Sequence, residues 1–321
     1  MKILFLAPID FNKKIKKKLK DKYDVSFFYG IDKNKLIKII SKYDILITNP
    51  GSNYKYDNKI LNFAEKLKLI ITPSTGTDHI DCAYCIKNNI HIRCLLNNRR
   101  ILNSISASAE FTLFLIFLTL RKFNKVQKII KNGSWRKKED IIRGNEIQNK
   151  TVGIVGFGRI GKKLYKYLRS FGCTVKIYDP YINIKNKKLN FVKSLKTIFE
   201  KCDIISLNLS LNEKTENIIS NKYLNVLKKN QILVNTSRGK IVDQKVIIKK
   251  IKQRKFFYST DVISNEFKNN LKSDDILNLS YKNENLIVTP HIAGLTEESQ
   301  TKSLNFILKE LILYKKNISS K

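Results

Sequence analysis

The chain has 321 residues, of which 42% are hydrophobic, enough for two domains of ordinary size with packed cores. Its formal net charge of +35 comes from 62 Lys and Arg against 27 Asp and Glu. A nucleic-acid partner would be one explanation, but the lysines are spread along nearly every predicted helix. The densest run, residues 13–20, keeps Ile15 and Leu19 at helical spacing. We therefore interpret the lysines as solvated helix faces and disfavour a nucleic-acid partner.

Five cysteines are present, and an odd number in a long chain argues against a disulfide framework and for a reducing compartment. Cys82 and Cys85 form a C-x-x-C pair with His91 and Cys94 nearby, which raises the question of a zinc site. His91 and Cys94 lie three apart in a predicted strand and would point to opposite faces. That geometry disfavours one shared metal, so no metal is expected.

The chain start and its most apolar run bear on localisation. Residues 1–8 are too short for a signal-peptide core, and residues 111–120 are too short to span a bilayer. We expect a soluble, cytoplasmic protein that does not interact with membranes.

The first hundred residues alternate short apolar runs with helical patterns, which predicts a parallel sheet covered on both faces. The predicted strands are residues 3–6, 25–28, 45–48, 69–72 and 90–95, and the predicted helices are residues 13–20, 35–41, 58–66 and 78–87. Ligands bind beyond the carboxyl ends of such strands. The loop at residues 73–78 leaves the fourth strand at that edge, and its backbone N–H groups can bind an anion. A glycine turn with an Asp helix cap is the competing interpretation.

Residues 103–131 form a long, strongly apolar helical pattern with Asn103 or Ser104 as its cap. A helix that is apolar on most sides must be buried between domains or in a subunit interface. The polar residues 132–149 then predict a connector. A second alternating series follows, with strands at residues 152–155, 174–178, 204–208, 232–235, 257–260 and 286–289, and a final helix at residues 296–314.

The strand at residues 152–155 leads directly into a glycine-rich loop of the form G-x-G-x-x-G, at Gly156, Gly158 and Gly161. The first glycine permits the tight turn, the second lets the backbone approach a pyrophosphate, and the third lets the following helix pack closely. Asp179 ends the next strand, where a carboxylate binds the ribose hydroxyls of a dinucleotide. The strand, the helix and the acid together predict a dinucleotide site.

Three further segments follow strands of the second series, at residues 235–239, 261–266 and 289–294. In a doubly wound fold they reach the same edge as the glycine-rich loop, so Arg238, Glu266 and His291 can converge there. Each residue alone could be a surface ion pair, a solvated acid or a satisfied turn residue. Together, a bidentate cation, a carboxylate and an imidazole beside a nicotinamide suit hydride transfer to a 2-oxo acid.

These motifs resemble those of the D-isomer-specific 2-hydroxyacid dehydrogenases, most clearly from Leu69 to Ser299. The resemblance is carried by residues 76–81, 109–110, 151–161, 235–239, 261–266 and 289–294, with Asp179. It implies an α/β fold with two doubly wound parallel-sheet domains: a flavodoxin-like substrate domain at residues 1–102 and 295–321, and a Rossmann NAD-binding domain at residues 103–294. It also implies NAD as the cofactor and a homodimer built on the NAD-binding domain.

The resemblance assigns roles to individual residues. The implied catalytic residues are Arg238, Glu266 and His291. The implied substrate-binding residues are Thr75, Gly76, Arg238 and His291, and the implied cofactor-binding residues are Gly156, Gly158, Arg159, Ile160, Gly161, Asp179, Thr236, Asp261 and Gly294. The sequence departs from the family pattern at Phe267 and Ser210, where proline is usual, and at Phe111, where histidine is common. Phe267 could alter how the Glu266 loop is held.

The expected activity is the NAD-dependent interconversion of a small D-2-hydroxy acid and its 2-oxo acid. The acid itself is open. The basic segment at residues 97–100 could favour a phosphorylated, phosphoglycerate-like substrate or one with an extra carboxylate, although a solvated loop explains it better. An NAD-sensing, corepressor-type binding protein of the same fold is the alternative, because intact catalytic residues do not exclude it.

Overall fold

The computed structural model describes residues 1–136, 139–182, 189–267 and 271–319. The chain divides into two compact units. The first comprises Met1–Ile105 and Leu295–Lys321 with a short piece that begins at Phe267, and the second comprises Ser106–Glu266 and the stretch that ends at Gly294. The assignment of one domain to the substrate and the other to the cofactor stays a prediction.

The first unit is built on a five-stranded parallel sheet. Its strands are β1 (Lys2–Phe5), β2 (Asp24–Phe27), β3 (Ile45–Ile47), β4 (Leu69–Ile71) and β5 (His91–Arg93), in the order β2-β1-β3-β4-β5. Its helices are α1 (Lys13–Lys22), α2 (Lys33–Ile39), α3 (Asn58–Leu61), α4 (Cys82–Lys87) and α5 (Arg99–Ser104), with α14 (Glu297–Ser319) from the chain end. The order is that of a flavodoxin-like doubly wound sheet.

Helix α1 shows how the sequence pattern becomes packing. The Asn12 side chain caps it by accepting the N–H of Ile15. Ile15 and Leu19 are buried, whereas Lys13, Lys14, Lys17, Lys18 and Lys20 are exposed. The densest lysine run is thus one apolar stripe with a charged outer surface.

The second unit contains a six-stranded parallel sheet. Its strands are β6 (Thr151–Val155), β7 (Thr174–Tyr178), β8 (Ile204–Leu207), β9 (Ile232–Asn235), β10 (Phe257–Thr260) and β11 (Leu286–Val288), in the order β11-β10-β9-β8-β6-β7. Its helices are α6 (Ala107–Leu120), α7 (Phe123–Lys131), α8 (Glu139–Ile142), α9 (Arg159–Ser170), α10 (Leu195–Lys201), α11 (Asn221–Leu224), α12 (Gln244–Lys252) and α13 (Asp275–Lys282).

This order confirms a doubly wound nucleotide-binding sheet, and within the described residues the sheet ends at β7. The common Rossmann order has one more strand outside β7. Here that position is held by an isolated parallel bridge between Ile177 and Phe191. The strand order reverses between β6 and β8, so the crevice expected to bind a ligand lies beyond the carboxyl end of β6.

The prediction of one continuous helix at residues 103–131 is wrong. The structure has three helices, α5, α6 and α7, and Lys122 between the last two has a φ of 50°. The predicted cap was also misplaced, because Asn98 caps α5 by accepting the N–H of Ile101. The helix predicted at residues 58–66 is limited to Asn58–Leu61, and the predicted connector contains the short helix α8.

The apolar stretch before the connector is longer than the sequence interpretation allowed. The helical region Arg99–Leu120 is long and apolar enough to cross a membrane by length and composition alone. Its second part, α6, packs on β9, β10 and α9. Leu115 and Ile116 belong to the buried core of the second unit with Ile154 and Val234. The core helix of a soluble protein passes the same length test, and the packing of α6 accounts for its composition.

Candidate active site

The glycine-rich loop after β6 is as tight as its sequence predicts. Gly156 has a φ of 91°, and a Cβ atom there would lie 2.4 Å from the Asn208 carbonyl oxygen. A Cβ atom at Gly161 would lie 2.3 Å from the Gly156 carbonyl oxygen. Only glycine fits these two positions without a shift of the backbone.

Gly158 differs from its two neighbours, because a Cβ atom there would have nothing within 4 Å. It is also the N-cap residue of α9, and no side chain caps that helix end. The backbone at the start of α9 thus borders open space, and the N–H groups of a helix start beside open space suit a phosphate. Arg159 and Ile160 form the first turn, and burial lowers the pKa of the Arg159 guanidinium.

Asp179 is connected directly to this loop. Its Oδ2 atom accepts the N–H of Phe157 at 2.8 Å, and its Oδ1 atom accepts the N–H of Tyr181 at 3.0 Å. The carboxylate therefore lies at the carboxyl ends of both β6 and β7. A ribose held beside the glycine-rich loop meets a negative charge at this position.

The turn that carries Arg238 is held by residues that the sequence reasoning missed. The Asn235 amide accepts the N–H of Ser237 and donates to the Arg238 carbonyl, both at 3.0 Å. The Ser237 hydroxyl donates to the Leu207 carbonyl at 2.6 Å. Asn235 is completely buried. A buried asparagine directly after a strand could have signalled this turn-forming role, because asparagine side chains bond their own backbone in turns.

Gly239 brings the Arg238 turn against the Glu266 loop. A Cβ atom at Gly239 would lie 2.0 Å from the backbone carbon of Ile263 and 2.4 Å from the nitrogen of Ser264. The glycine is thus required by direct backbone-to-backbone contact. This contact fixes the spacing between the two loops.

Asp261 holds the turn that presents His291. Its Oδ1 atom accepts the Thr289 hydroxyl at 2.6 Å and the N–H of Ile292 at 2.9 Å, and its Oδ2 atom accepts the N–H of Ala293 at 2.7 Å. Burial raises the pKa of Asp261, and these hydrogen bonds offset part of that rise. His291 has a φ of 55°, so the carboxylate stabilises a backbone conformation that L residues seldom adopt.

Glu266 and His291 form a hydrogen-bonded pair in the second unit. The Glu266 Oε2 atom lies 2.8 Å from His291 Nδ1, and its Oε1 atom accepts the N–H of Ile263 at 3.1 Å. A carboxylate can only accept a hydrogen bond, so Nδ1 carries a proton. Nε2 is therefore the ring nitrogen that can gain or lose a proton. Burial lowers the pKa of His291, but the hydrogen bond and charge of Glu266 outweigh it, and the net pKa is raised. The nearby Arg238 guanidinium opposes that rise.

The remaining predicted site residues have plainer surroundings. The Thr236 hydroxyl lies 2.7 Å from the Thr112 hydroxyl of α6. Gly294 is exposed, and a Cβ atom there would have nothing within 4 Å. Thr75 and Gly76 lie in the first unit, in the half-buried loop after β4.

The basic segment and the C-x-x-C pair both lie in the first unit. Arg99 and Arg100 are exposed at the start of α5, behind the capping Asn98. Cys82 and Cys85 lie on α4. Within the described residues, no group of three or more His, Cys, Asp or Glu side chains is arranged to hold a metal ion.

The fold and the glycine-rich loop define a dinucleotide-binding protein. The chain also matches the family model for the NAD-binding domain of D-isomer-specific 2-hydroxyacid dehydrogenases over residues 113–293. This protein belongs to the D-isomer-specific 2-hydroxyacid dehydrogenase family, and its cofactor is NAD.

Individual relatives are consistent with this membership. The chain is 31% identical over 293 residues to a D-3-phosphoglycerate dehydrogenase of Methanocaldococcus jannaschii, matching 90% of this chain and 53% of that protein. It therefore spans about half the length of that relative. It is 32% identical to a glyoxylate reductase of Thermofilum pendens, over 80% of this chain and 75% of the relative. The solved D-lactate dehydrogenase of Aquifex aeolicus, complexed with NAD and lactic acid, is 26% identical with a TM-score of 0.79, covering 98% of this chain and 96% of that one.

Proposed function

We propose that this protein interconverts a small D-2-hydroxy acid and its 2-oxo acid by NAD-dependent hydride transfer. The observation that carries the proposal is the Glu266–His291 pair, 2.8 Å apart, on the second unit with its glycine-rich loop. A histidine whose pKa is raised by a carboxylate is suited to deliver a proton near neutral pH. Family membership supports the same reaction class.

The residues present fit the cofactor. The backbone at Gly158 borders open space at the uncapped start of α9, which suits a pyrophosphate. In this proposal Asp179 binds the ribose hydroxyls, and its charge disfavours a 2′-phosphate. The cofactor-binding residues are Gly156, Gly158, Arg159, Ile160, Gly161, Asp179, Thr236, Asp261 and Gly294.

The proposed mechanism assigns three side chains to the reacting atoms. When bound, NADH supplies the hydride. Arg238 holds the substrate carboxylate with a charge-assisted hydrogen bond and polarises the 2-oxo group. In the first unit, the backbone amides of Thr75 and Gly76 are the proposed carboxylate-binding groups. His291 donates the Nε2 proton to the developing alkoxide, and Glu266 stabilises the ring in the required tautomer. In the oxidative direction His291 accepts that proton.

Substitution of His291 tests the catalytic assignment. We expect His291→Ala to lower kcat for 2-oxo acid reduction by about 100-fold or more, the usual contribution of a general acid. NADH binding, followed by the fluorescence of the reduced coenzyme, should change little, because the glycine-rich loop is untouched. Unchanged turnover in this variant would overturn the assignment.

The particular acid is best found by direct assay. Candidates are the phosphorylated, phosphoglycerate-like class and the smaller unphosphorylated acids. Reduction of hydroxypyruvate, glyoxylate, pyruvate and 2-oxoglutarate, with oxidation of 3-phosphoglycerate, should be compared on one preparation. NADH binding without turnover of any acid would instead support the NAD-sensing, corepressor-type function.

We further propose a cytoplasmic homodimer that assembles through the second unit and has no membrane or nucleic-acid partner. Support comes from apolar side chains on α6 and α7: Phe114 is 49% exposed, Phe123 42% and Ile130 47%. Exposed large apolar side chains on neighbouring helices are typical of subunit interfaces. Light scattering of the purified protein and of Phe114→Lys tests it, because a monomeric wild type would contradict the interface.

A further inference from the structure

A chain of buried hydrogen bonds in the first unit ends at the loop that contains Thr75 and Gly76. The Thr48 and Thr72 hydroxyls each lie 3.1 Å from the Nε2 atom of His79. Thr72 also lies 2.9 Å from the Ser74 hydroxyl, which donates to the Gly76 carbonyl at 2.7 Å. The chain therefore runs from an imidazole in the core to the backbone of the loop.

The direction of these hydrogen bonds follows from proton counting. A carbonyl oxygen only accepts, so the single hydroxyl hydrogen of Ser74 goes to Gly76. Ser74 must then accept from Thr72. Having donated its only hydrogen, Thr72 must accept from His79, which therefore carries a proton on Nε2.

The start of the chain is rigidly held. Thr48 and Thr72 are fully buried, and His79 is 3% exposed. Thr48 and Thr72 come directly after the adjacent strands β3 and β4. The ring of the fully buried Tyr56 packs edge-on against the His79 ring, with centroids 5.9 Å apart. A buried, oriented donor of this kind transmits its geometry to the groups bonded to it.

The end of the chain is held more sparsely. The Ser74 carbonyl accepts the N–H of Leu95, and the Thr77 carbonyl accepts the N–H of Ile80. Between these two points, the bond from Ser74 Oγ to the Gly76 carbonyl is the only hydrogen bond to the Thr75–Gly76 backbone seen among the described residues. The Ser74 carbonyl and the Thr75 N–H share one peptide plane, so the bond from Leu95 holds the Thr75 amide. The Gly76 carbonyl lies in the next plane but one, so the Ser74 hydroxyl restrains the backbone of Gly76 and, through its torsions, the direction of the Gly76 N–H.

We propose that His79, Thr72 and Ser74 are positioning residues that hold the Gly76 backbone so that its amide faces the substrate carboxylate. This inference rests on the proposed function, in which the Gly76 amide binds that carboxylate. His79 acts from inside the core and touches no reacting atom. Loss of the chain should weaken substrate binding, while NADH binding, a property of the second unit, should stay unchanged.

Two buried threonines offer a matched pair of substitutions. Thr72→Val and Thr48→Val each remove one fully buried hydroxyl at 3.1 Å from the same His79 nitrogen, and valine keeps the shape of threonine. Both should lower the melting temperature, Thr72→Val the more because its hydroxyl also bonds Ser74, so KM is measured well below both melting temperatures. Only Thr72→Val interrupts the route to Ser74, so a general loss of stability cannot account for a difference between the two variants.

The experiment measures KM and kcat for the 2-oxo acid that the wild type reduces best. We expect Ser74→Ala to raise KM by up to about tenfold and Thr72→Val by about twofold or more, the range that one net hydrogen bond gives. Thr48→Val should leave KM unchanged. The double variant Thr72→Val/Ser74→Ala should have a KM no higher than that of Ser74→Ala, because both changes break the same chain of hydrogen bonds. His79→Gln, which keeps a side-chain N–H donor, should retain more substrate affinity than His79→Leu.

Equal KM values in Thr72→Val and Thr48→Val, or an unchanged KM in Ser74→Ala, would overturn the inference while leaving the proposed function intact. A wild type that reduces no 2-oxo acid would instead overturn the proposed function. In that case, amide hydrogen exchange in peptides covering residues 74–78 tests the positioning role without any activity measurement. Faster exchange in Thr72→Val and Ser74→Ala, but not in Thr48→Val, supports it, and equal exchange in all three contradicts it.

Discussion

The contact at Gly239 makes the sharpest structural prediction about the proposed active site. Replacement by alanine would put a methyl group 2.0 Å from the backbone carbon of Ile263 and 2.1 Å from its oxygen. Neither atom belongs to a flexible side chain that could move aside. Ordinary van der Waals contact begins near 3.4 Å, so the two backbone segments must separate by roughly 1.4 Å.

That displacement acts on catalytic geometry. The Arg238 turn lies on one side of the contact, and the loop whose Ile263 N–H binds Glu266 lies on the other. A misplacement of about 1 Å can lower a rate by about 100-fold, so we expect Gly239→Ala to reduce kcat by that order. The crowding should also cost about 1–3 kcal/mol in the free energy of unfolding.

The assay is steady-state reduction of the best 2-oxo acid, with NADH affinity and chemical denaturation measured on the same samples. Gly51→Ala is the matched control, because the nearest atom to a Cβ there is the Asn49 side-chain oxygen at 3.4 Å. It should change kcat by less than about twofold. A Gly239→Ala enzyme with kcat within twofold of wild type would refute the view that this contact sets the spacing of the catalytic loops.

Three further substitutions test the roles proposed for the carboxylates of the second unit. Glu266→Gln removes the charge that keeps the pKa of His291 raised; because reduction needs the protonated ring, the alkaline limb of the kcat/KM profile should move to lower pH. An unmoved limb would assign that limb to another group. Asp261→Asn replaces one acceptor oxygen with a donor against backbone N–H groups, so denaturation should show a loss of about 1–3 kcal/mol together with a lower kcat. Asp179→Ala should raise the kcat/KM ratio of NADPH to NADH by roughly tenfold, and an unchanged ratio would exclude Asp179 as the selector.

Much of the fold could be predicted from sequence because parallel strands buried on both faces are continuous apolar runs. Both sheets were predicted correctly as doubly wound and parallel. The ends of the helices were predicted less accurately. Residues 111–120 are apolar almost throughout and residues 121–131 keep helical spacing, so periodicity gave no sign of the left-handed residue Lys122, which lies between α6 and α7.

The glycine-rich loop was predictable for a physical reason. The close approaches at Gly156 and Gly161 leave no room for a Cβ atom, so the sequence must have glycine at both positions. The single bridge at Phe191, which takes the place of an edge strand beside β7 among the described residues, was not predictable because it has no period to detect. The substrate itself has no signature of comparable strength.

The sequence by itself determined the chemistry available: the family, the NAD cofactor, and an arginine, an acid and a histidine after successive strands. Tertiary structure alone decided how these groups are held. Asn235, Ser237 and Asp261 fix the turns that carry Arg238 and His291, and the Ser74 hydroxyl holds Gly76 from a chain that begins at His79. Hydrogen bonds between residues distant in sequence leave no periodic pattern, because they depend on which strand ends lie side by side.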